Sequence, residues 1–511
     1  MGGANRVDEL GKAHGAKNAP HCGKLTAHPE GMGSLLKPTE GTGLRATIFN
    51  LSNTIMGGGI LGLPHAIARL GLVAGISLLI ATAGLCCITV WMLLVAMEET
   101  RQKSYAEVAN VLHGPRAGIL VDVTIALYNF GTLVSYVMII GDVVPSFLGF
   151  LNAPEALQDR TLVLVLSALV LFPLSSMPSM GALRHASLVC ILMIACLSLA
   201  LVLLGTKTID VSKDSYGPVE LWSDDLLGFA TQLPVLIFAY TCNMNVPIFY
   251  GELRAQTYES FDSKFNSKRE KMMFAMYFSS LLCCVEYLLV AVFGYLAFRR
   301  HTAPDILTNL HEERFAAAPY VKVGYSLVMF TSYPVMCFSC VASLHRLFWE
   351  FRSMFGDDDH AYKRFEACSP AVQHDSPLSP CVFATPYRWP GENHLKEPAE
   401  FVKKDQAGIS PPAPTLWERL LLVLALVSSS ILLAAVLPDL SVVFGLTGGF
   451  CGGLVTFCFP AMFYIRVASK KGERLILGTW AGHLLFIFGL LAGVGSSAIV
   501  ALEAINRSSS S

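Results

Sequence analysis

The chain has 511 residues, of which 53% are hydrophobic and only 15% are charged, and its net charge is −1. This composition is too apolar for a soluble protein of that length and predicts a polytopic membrane protein. Nothing in the charge distribution indicates nucleic-acid binding. The 14 cysteines lie mostly inside apolar segments and lack the spacing of zinc sites, so we expect them to be packing residues.

A membrane-spanning helix needs about 20 mostly apolar residues, and about eleven such segments follow one another along the chain. The predicted fold class is therefore an all-α polytopic membrane protein with about 11 transmembrane helices. The predicted spans 1 to 11 are Ala46–Leu70, Val73–Met97, Gly118–Phe150, Thr161–Met180, Ala186–Gly205, Leu226–Tyr250, Met272–Phe298, Tyr320–Leu344, Leu416–Leu437, Ser441–Ile465 and Leu475–Ala501.

Span 1 is interrupted near its centre by four glycines and a proline in residues 53–64, NTIMGGGILGLP. Glycine costs about 1 kcal/mol and proline about 3 kcal/mol relative to alanine in a helix interior. Each backbone group freed inside a bilayer must find another partner. Many secondary transporters use helices broken at the midplane to bind a solute and its coupling ion. The alternative interpretation is a kink without a ligand.

Two long polar segments flank or interrupt the apolar region. Residues 1–45 are expected to form a disordered cytoplasmic tail, and residues 350–415, rich in proline and Ser-Pro pairs, a disordered cytoplasmic loop whose regulatory role stays open. Lys and Arg are concentrated in this tail and in the even-numbered loops. The distribution predicts a cytoplasmic N-terminus.

Span 6 is also interrupted, in residues 238–247, FAYTCNMNVP. Asparagine and threonine can cap broken helix ends, and proline removes a backbone donor. Breaks five spans apart predict a 5+5 inverted repeat with interrupted helices 1 and 6. The first repeat would cover 46–205, the second 226–349 with 416–466, and an eleventh helix 475–501. Polar packing between helices explains either break alone, but not their matched positions.

The substrate class follows from the chemistry of broken helices. A free amino acid presents a carboxylate and an ammonium group, which bind N–H donors at a helix N-terminus and C=O acceptors at a C-terminus. Neither break contains a charged residue, which favours a neutral side chain. We expect the glycine amides to bind the carboxylate, carbonyls near Phe238 to hold the ammonium, and span 6 side chains to recognise an amide or hydroxyl. The predicted substrate-binding residues are Thr54, Gly57, Gly58, Gly59, Gly62, Phe238, Tyr240, Thr241, Asn243 and Asn245.

Residues 49–64, FNLSNTIMGGGILGLP, resemble the first-span signature of the auxin and amino acid permease family, especially its sodium-coupled neutral amino acid transporter branch. Further similar segments occur in the same order: GTLVSY at 131–136, PIFYGEL at 247–253, FGYLAF at 293–298, VFGLTG at 443–448 and FPAMFYI at 459–465. The resemblance runs from about Thr47 to the last span. It implies an eleven-helix carrier of the amino acid, polyamine and organocation superfamily, with its substrate site on helices 1 and 6.

The resemblance also implies a sodium site between helices 1 and 8. Asn53 matches the family asparagine, while Thr331 and Ser332 are neighbouring candidates for the helix 8 hydroxyl; either could instead be bonded back to its own helix. Glu286 and Asp142 are acids inside spans and therefore candidate proton-relay groups, although Glu286 could equally have a structural role. The expected coupling ion is Na⁺, with H⁺ as the alternative.

The predicted function is secondary active transport of neutral L-amino acids by alternating access, coupled to an ion. We expect no enzymatic activity and no cofactor, because the apolar segments contain no constellation of catalytic side chains. The expected partners are a neutral amino acid and the lipid bilayer of the plasma membrane or of a vacuole or lysosome. Two alternatives stay open: a proton-coupled vacuolar or lysosomal transporter, and an amino acid sensor that does not transport.

Overall fold

The computed structural model describes residues 42–177, 184–210, 217–254, 265–310, 315–355, 414–437, 440–471 and 478–510. Throughout these ranges regular structure is helical apart from one isolated β-bridge. Nine of the described helices are long and apolar enough to cross a membrane, and the interrupted span 1 and the 16-residue helix of span 4 complete the predicted eleven. The all-α polytopic class is therefore confirmed. The predictions for the tail and for the long loop fall almost entirely outside the described residues.

The observed helices follow the predicted order of spans. Their bounds are Leu44–Ile55 and Leu63–Leu70 for span 1, Leu72–Thr100 for span 2, Pro115–Phe150 for span 3, Arg160–Ser175 for span 4, Arg184–Asp210 for span 5, Leu226–Tyr240 and Val246–Glu252 for span 6, Lys268–Phe298 for span 7, Ala318–Phe355 for span 8, Leu416–Val436 for span 9, 440–471 for span 10 and 479–510 for span 11. Short helices lie between spans at Tyr105–His113 and Ile306–Asn309.

Several spans begin at a polar residue whose side chain accepts a hydrogen bond from the first turn. Ser267 caps span 7, Asp159 caps span 4 and Asp225 caps span 6. Thr415 and Glu418 form a reciprocal capping box at the start of span 9. These caps satisfy backbone N–H groups that a helix leaves without an internal partner, so they define where the spans begin.

Several helix ends differ from the hydropathy-based prediction, and spans 4 and 8 are two examples. Span 4 ends at Ser175 rather than at Met180, one turn or less after Pro173. Span 8 continues as a helix to Phe355, well beyond the predicted end at Leu344. Hydropathy locates the part of a helix that suits lipid, whereas a helix continues into water wherever its backbone bonds are satisfied.

The glycine-rich middle of span 10 is π-helical over Gly445–Gly452 and Leu454–Cys458, which the sequence analysis did not predict. Span 10 packs there against the first helix of span 6. A Cβ at Gly448 would collide with Phe238, and one at Gly449 with Ser497 of span 11. The glycines therefore allow span 10 to approach the helix that leads into the second break.

Short segments cover the ends of the interrupted spans on both faces. On the face where span 1 begins, Thr42 pairs with Leu253 in the isolated β-bridge, just after span 6 ends. On the opposite face, which we call the distal face, residues 299–310 form a compact distal loop between spans 7 and 8. His65, just after the first break, has its Nδ1 2.8 Å from the carbonyl oxygen of Thr302 in this loop.

Candidate functional site

Span 1 breaks where the glycines predict. Its first helix ends at Ile55, Met56 and Gly57 connect, and a short 3-10 turn over Gly58–Gly62 leads into the second helix. Pro64 occupies the first turn of that helix, where its missing N–H leaves no helical bond unmade. All residues from 51 to 64 are buried. The predicted interruption of helix 1 is confirmed.

Span 6 has the same local order of structure. Its first helix ends at Tyr240, Thr241 and Cys242 connect, and a 3-10 turn over Asn243–Asn245 leads into a helix with a proline in its first turn. Residues 234–247 are all buried. The interruption of helix 6 is therefore confirmed as well, and the two breaks together place four helix ends inside the protein.

The two breaks cross at Gly59. A Cβ at Gly59 would lie 2.8 Å from the Cα of Ala239 in span 6, closer than a Cβ and a backbone carbon can approach. Gly57 lies against span 3, where an added Cβ would be 2.6 Å from the hydroxyl of Tyr136. These glycines thus permit contacts between protein groups. Carboxylate binding by their amides stays a prediction.

Tyrosine hydroxyls from neighbouring spans reach the carbonyl groups that the breaks release. The hydroxyl of Tyr287, on span 7, lies 2.6 Å from the carbonyl oxygen of Ile55 and 2.8 Å from that of Ala239. Tyr325, on span 8, donates to the carbonyl oxygen of Gly57 at 2.9 Å. Because Tyr287 has one hydroxyl proton, it shares a single donor between the two broken helices. These hydroxyls replace the helical partners that the carbonyls have lost.

Tyr136, Tyr287 and Tyr325 were not among the site residues predicted from the sequence. Each is a fully buried tyrosine inside a span, and Tyr325 lies two turns after the start of span 8. A buried tyrosine hydroxyl needs a hydrogen-bond partner, and in a bilayer the available partners are the backbone groups of broken helices. That requirement was the signal available from the sequence.

Two of the predicted span 6 side chains are occupied by bonds within the protein. The amide of Asn243 donates to the Thr89 hydroxyl and to the Thr456 carbonyl oxygen, both at 3.2 Å. Thr241 donates to the carbonyl oxygen of Ile237 at 2.7 Å and accepts from the Thr456 hydroxyl at 3.0 Å. Asn243 and Thr241 therefore connect the second break to spans 2 and 10.

Tyr240 and Asn245 have unused polar atoms. Within the described parts of the chain, the Tyr240 hydroxyl and the Asn245 Nδ2 are buried without a hydrogen-bond partner. The Tyr240 ring packs edge-on against Tyr287 with 5.1 Å between ring centroids, and the Asn245 Oδ1 accepts from Ser339 at 2.7 Å. Buried polar atoms of this kind usually have a partner in the functional state.

Among the candidate ion-site residues, some side-chain oxygens are bonded within the protein and others are not. Among the described residues, Asn53 Oδ1 and Ser332 Oγ are buried and have no hydrogen-bond partner. The Thr331 hydroxyl is bonded back to the carbonyl oxygens of Leu327 and Val328, both at 3.0 Å, and lies 2.9 Å from the Cys190 thiol of span 5. Asn53 and Ser332 thus have oxygens available for a ligand, whereas Thr331 is occupied.

The two candidate proton-relay acids have their hydrogen-bond and salt-bridge partners outside the two breaks. Glu286 is half-buried and accepts a hydrogen bond from Ser198 of span 5 at 2.7 Å. Asp142 pairs with Arg160 at 2.8 Å, and the two side chains are 37% and 34% exposed. Neither acid contacts a break through these bonds.

Charged pairs connect the helices toward the face where span 1 begins. Arg346 of span 8 binds the fully buried carboxylate of Asp122 of span 3, with a shortest distance of 2.6 Å. Glu98 at the end of span 2 accepts from Arg269 of span 7 at 2.7 Å and from Tyr250 of span 6 at 2.9 Å. These bonds link spans 3 and 8 in one group and spans 2, 6 and 7 in another.

Residues 40–502 match the family model described as transmembrane amino acid transporter protein. The chain belongs to this family. The resemblance to the amino acid permease family is thereby confirmed, and so is the prediction of a transporter family rather than an enzyme. The match covers both breaks and all eleven spans predicted from the sequence.

Named relatives are amino acid transporters of plants and fungi. The chain is 31% identical over 330 residues to the amino acid transporter AVT6E of Arabidopsis thaliana, covering 61% of this chain and 64% of that protein. It is 28% identical to vacuolar amino acid transporter 5 of Schizosaccharomyces pombe, covering 60% and 69% of the two chains. It is 24% identical to vacuolar amino acid transporter 6 of Saccharomyces cerevisiae, covering 88% and 96%.

Solved structures similar to the transporter include MhsT in complex with L-phenylalanine, at 13% identity and a TM-score of 0.49, covering 90% of this chain and 98% of that one. A mutant of the manganese transporter of Eremococcus coleocola is 11% identical with a TM-score of 0.48, covering 90% and 86%.

Proposed function

We propose that this protein is a secondary active transporter that moves neutral L-amino acids across a membrane by alternating access. The observation that carries the proposal is the pair of crossed, buried breaks in spans 1 and 6. Residues 51–64 and 234–247 contain no charged side chain. A site built from helix ends binds the charges common to all amino acids through helix dipoles and backbone groups, and an uncharged lining selects a neutral side chain.

The contacts refine which groups would recognise the substrate. The amides of the 3-10 turn at Gly58–Gly62 precede a helix and suit the carboxylate. The carbonyl oxygens of Ile55 and Ala239 already accept from Tyr287, which leaves them less available to an ammonium group. Tyr240 and Asn245, with unused polar atoms, are better suited to contact the substrate than Asn243 and Thr241.

We propose Na⁺ as the co-transported ion, bound between spans 1 and 8 by Asn53 and Ser332. Sodium favours oxygen ligands, and Asn53 Oδ1 and Ser332 Oγ are buried oxygens without a partner in the described chain. Removing the Ser332 hydroxyl should raise the sodium concentration needed for half-maximal uptake by at least about tenfold, the effect of about 1.4 kcal/mol. Thr331→Ala is the matched control, since that hydroxyl is bonded to its own helix. Equal effects of Ser332→Ala and Thr331→Ala would contradict the assignment.

Proton coupling in an acidic organelle is the second candidate. It is supported by the vacuolar names of two relatives and by the acid Glu286 inside span 7, whose partner Ser198 lies on span 5. The same relatives support a vacuolar membrane as the location. A fluorescent fusion protein found only at the cell surface would contradict that location.

Uptake of labelled amino acids into vesicles that contain the purified protein tests the proposal. Sodium and proton gradients are imposed separately, and charged amino acids serve as the comparison set. We expect neutral amino acids to accumulate under a sodium gradient. Accumulation driven by a proton gradient alone would identify H⁺ rather than Na⁺ as the coupling ion. Saturable binding without flux under either gradient would indicate a sensor.

A further inference from the structure

The distal loop packs directly on the outer half of span 1 and on the end of span 7. The carbonyl oxygen of Pro304 would lie 3.7 Å from a Cβ at Gly62, the last residue of the first break. The Ile306 side chain lies 3.5 Å from the Cβ position of Gly294, which also contacts Pro64. The bond between His65 and Thr302 joins the same two segments. The loop therefore covers the distal side of the first break.

Asp305 is a buried acid in the middle of this loop. Asp305 is only 6% exposed to solvent. Oδ1 accepts from the backbone N–H of Leu307 at 2.9 Å, whereas Oδ2 is buried with no hydrogen-bond partner in the described ranges. An ionised carboxylate with one bare oxygen is costly to bury, but a protonated carboxyl group is far less so.

The charged groups around Asp305 do not offset this burial. Asp142 at the distal end of span 3 opposes its ionisation, and Lys322 near the start of span 8 favours it. Asp142 is itself paired with Arg160. Arg299, Arg300 and His301 precede Asp305 in the distal loop, and His65 faces the loop from span 1. Burial is the largest effect, and it raises the pKa of Asp305 from 3.8 to about 7.

We propose that Asp305 is a proton-binding site that controls the distal gate of the transporter. The closed loop holds Asp305 as the neutral acid, and loss of that proton favours release of the loop from span 1. Closing the gate thus takes up a proton from the distal compartment. The proposal rests on alternating access, because only then must the distal loop leave the break to admit substrate.

Proton linkage gives the direction and the size of the pH effect on the ratio of open to closed loops. In a released loop the carboxyl group is solvated and has the ordinary aspartate pKa, so the closed form binds more protons between about pH 4 and pH 7. Raising the distal pH from 5 to 8 should therefore increase the ratio of open to closed loops by roughly 90-fold. An acidic distal compartment keeps the gate closed.

Cysteine labelling measures this equilibrium without using transport. Leu307→Cys places a thiol at a position that is 1% exposed in the closed loop, and Thr308→Cys places one at the adjacent exposed position. Each variant is labelled with a membrane-impermeant maleimide at pH 5 to 8, and the peptide that carries the new thiol is quantified by mass spectrometry. Dividing the labelling rate of Leu307→Cys by that of Thr308→Cys removes the effect of pH on thiol reactivity.

We expect this ratio to rise at least tenfold from pH 5 to pH 8. The Asp305→Asn variant can still accept the bond from Leu307 but does not ionise, so its ratio should stay low and change less than twofold. An unchanged slope in Asp305→Asn, or a flat ratio in the parent protein, would overturn the proposal. A slope abolished by His65→Asn but not by Asp305→Asn would assign the proton to His65 instead. A parent protein that shows the slope but no amino acid flux would retain the proton site and refute only the transport function.

Discussion

Replacement of Tyr287 by phenylalanine should weaken substrate binding more than its small chemical change suggests. The substitution keeps the ring and its edge-on contact with Tyr240, and removes only the hydroxyl shared by the carbonyl oxygens of Ile55 and Ala239. The Ala239 carbonyl oxygen then loses its only donor among the described residues, whereas the Ile55 carbonyl oxygen still accepts from the N–H of Gly57 at 2.8 Å. An unsatisfied buried group of this kind costs about 1 to 3 kcal/mol.

The cost falls on the conformation that joins the two breaks. If the binding-competent form loses all of this stabilisation, its population drops and the apparent Kd rises by about fivefold to about 150-fold. The assay is binding of the best neutral amino acid to purified protein, measured together with the free energy of unfolding. Both quantities should change in Tyr287→Phe.

Tyr333→Phe provides a matched control for this prediction. Tyr333 is also fully buried, and its hydroxyl has one described partner, Ser430 on span 9, at 2.9 Å. Its loss should lower stability by a similar amount and leave the Kd within about twofold, because the bond lies away from both breaks. Equal effects of the two variants on the Kd would refute the idea that Tyr287 organises the site.

Two further predictions concern packing and charge. Gly59→Ala should abolish transport and lower the melting temperature, because the new methyl group meets the Cα of Ala239 at 2.8 Å. The control Gly84→Ala, whose new methyl group has no atom within 4 Å, should be neutral or stabilise the fold by up to about 1 kcal/mol. Transport by both variants would contradict the close crossing of the two breaks. Arg346→Met should lower the free energy of unfolding by about 3 to 5 kcal/mol, because it leaves the buried carboxylate of Asp122 unpaired. Adding Asp122→Asn should recover much of this loss, and chemical unfolding of both variants measures the difference. No recovery in the double variant would refute the electrostatic explanation.

The breaks could be predicted from the sequence because their causes are local. Glycine and proline disfavour helix through their own backbone chemistry, whatever surrounds them. The partners of the breaks depend instead on helix rotation. Glu286 and Tyr287 differ by only one position, or about 100° around the helix axis, and it is Tyr287 that reaches both breaks. A span that is apolar on every side does not reveal which of its polar residues faces inward.

The different roles of Asn243 and Asn245 have the same origin. Both stand in the second break and are equally buried, but the amide of Asn243 contacts spans 2 and 10 whereas the Nδ2 of Asn245 has no partner in the described structure. Their partners come from segments more than 90 positions away. The π-helical turns of span 10 were also unpredicted, because they depend on close contact with spans 6 and 11 rather than on local propensity.

The bridge between Thr42 and Leu253 connects the first half-helix of span 1 to the second half-helix of span 6. The N–H of Thr42 donates to the carbonyl oxygen of Glu252 at 2.8 Å, and its carbonyl oxygen accepts from the N–H of Arg254 at 3.1 Å. If the first half-helix of span 1 and the second half-helix of span 6 moved independently, each between two positions, four combinations would be possible. With two backbone bonds between them, combinations in which only one half-helix has moved lose about 1 to 3 kcal/mol. The two bonds therefore favour joint movement of the two half-helices at the face where span 1 begins.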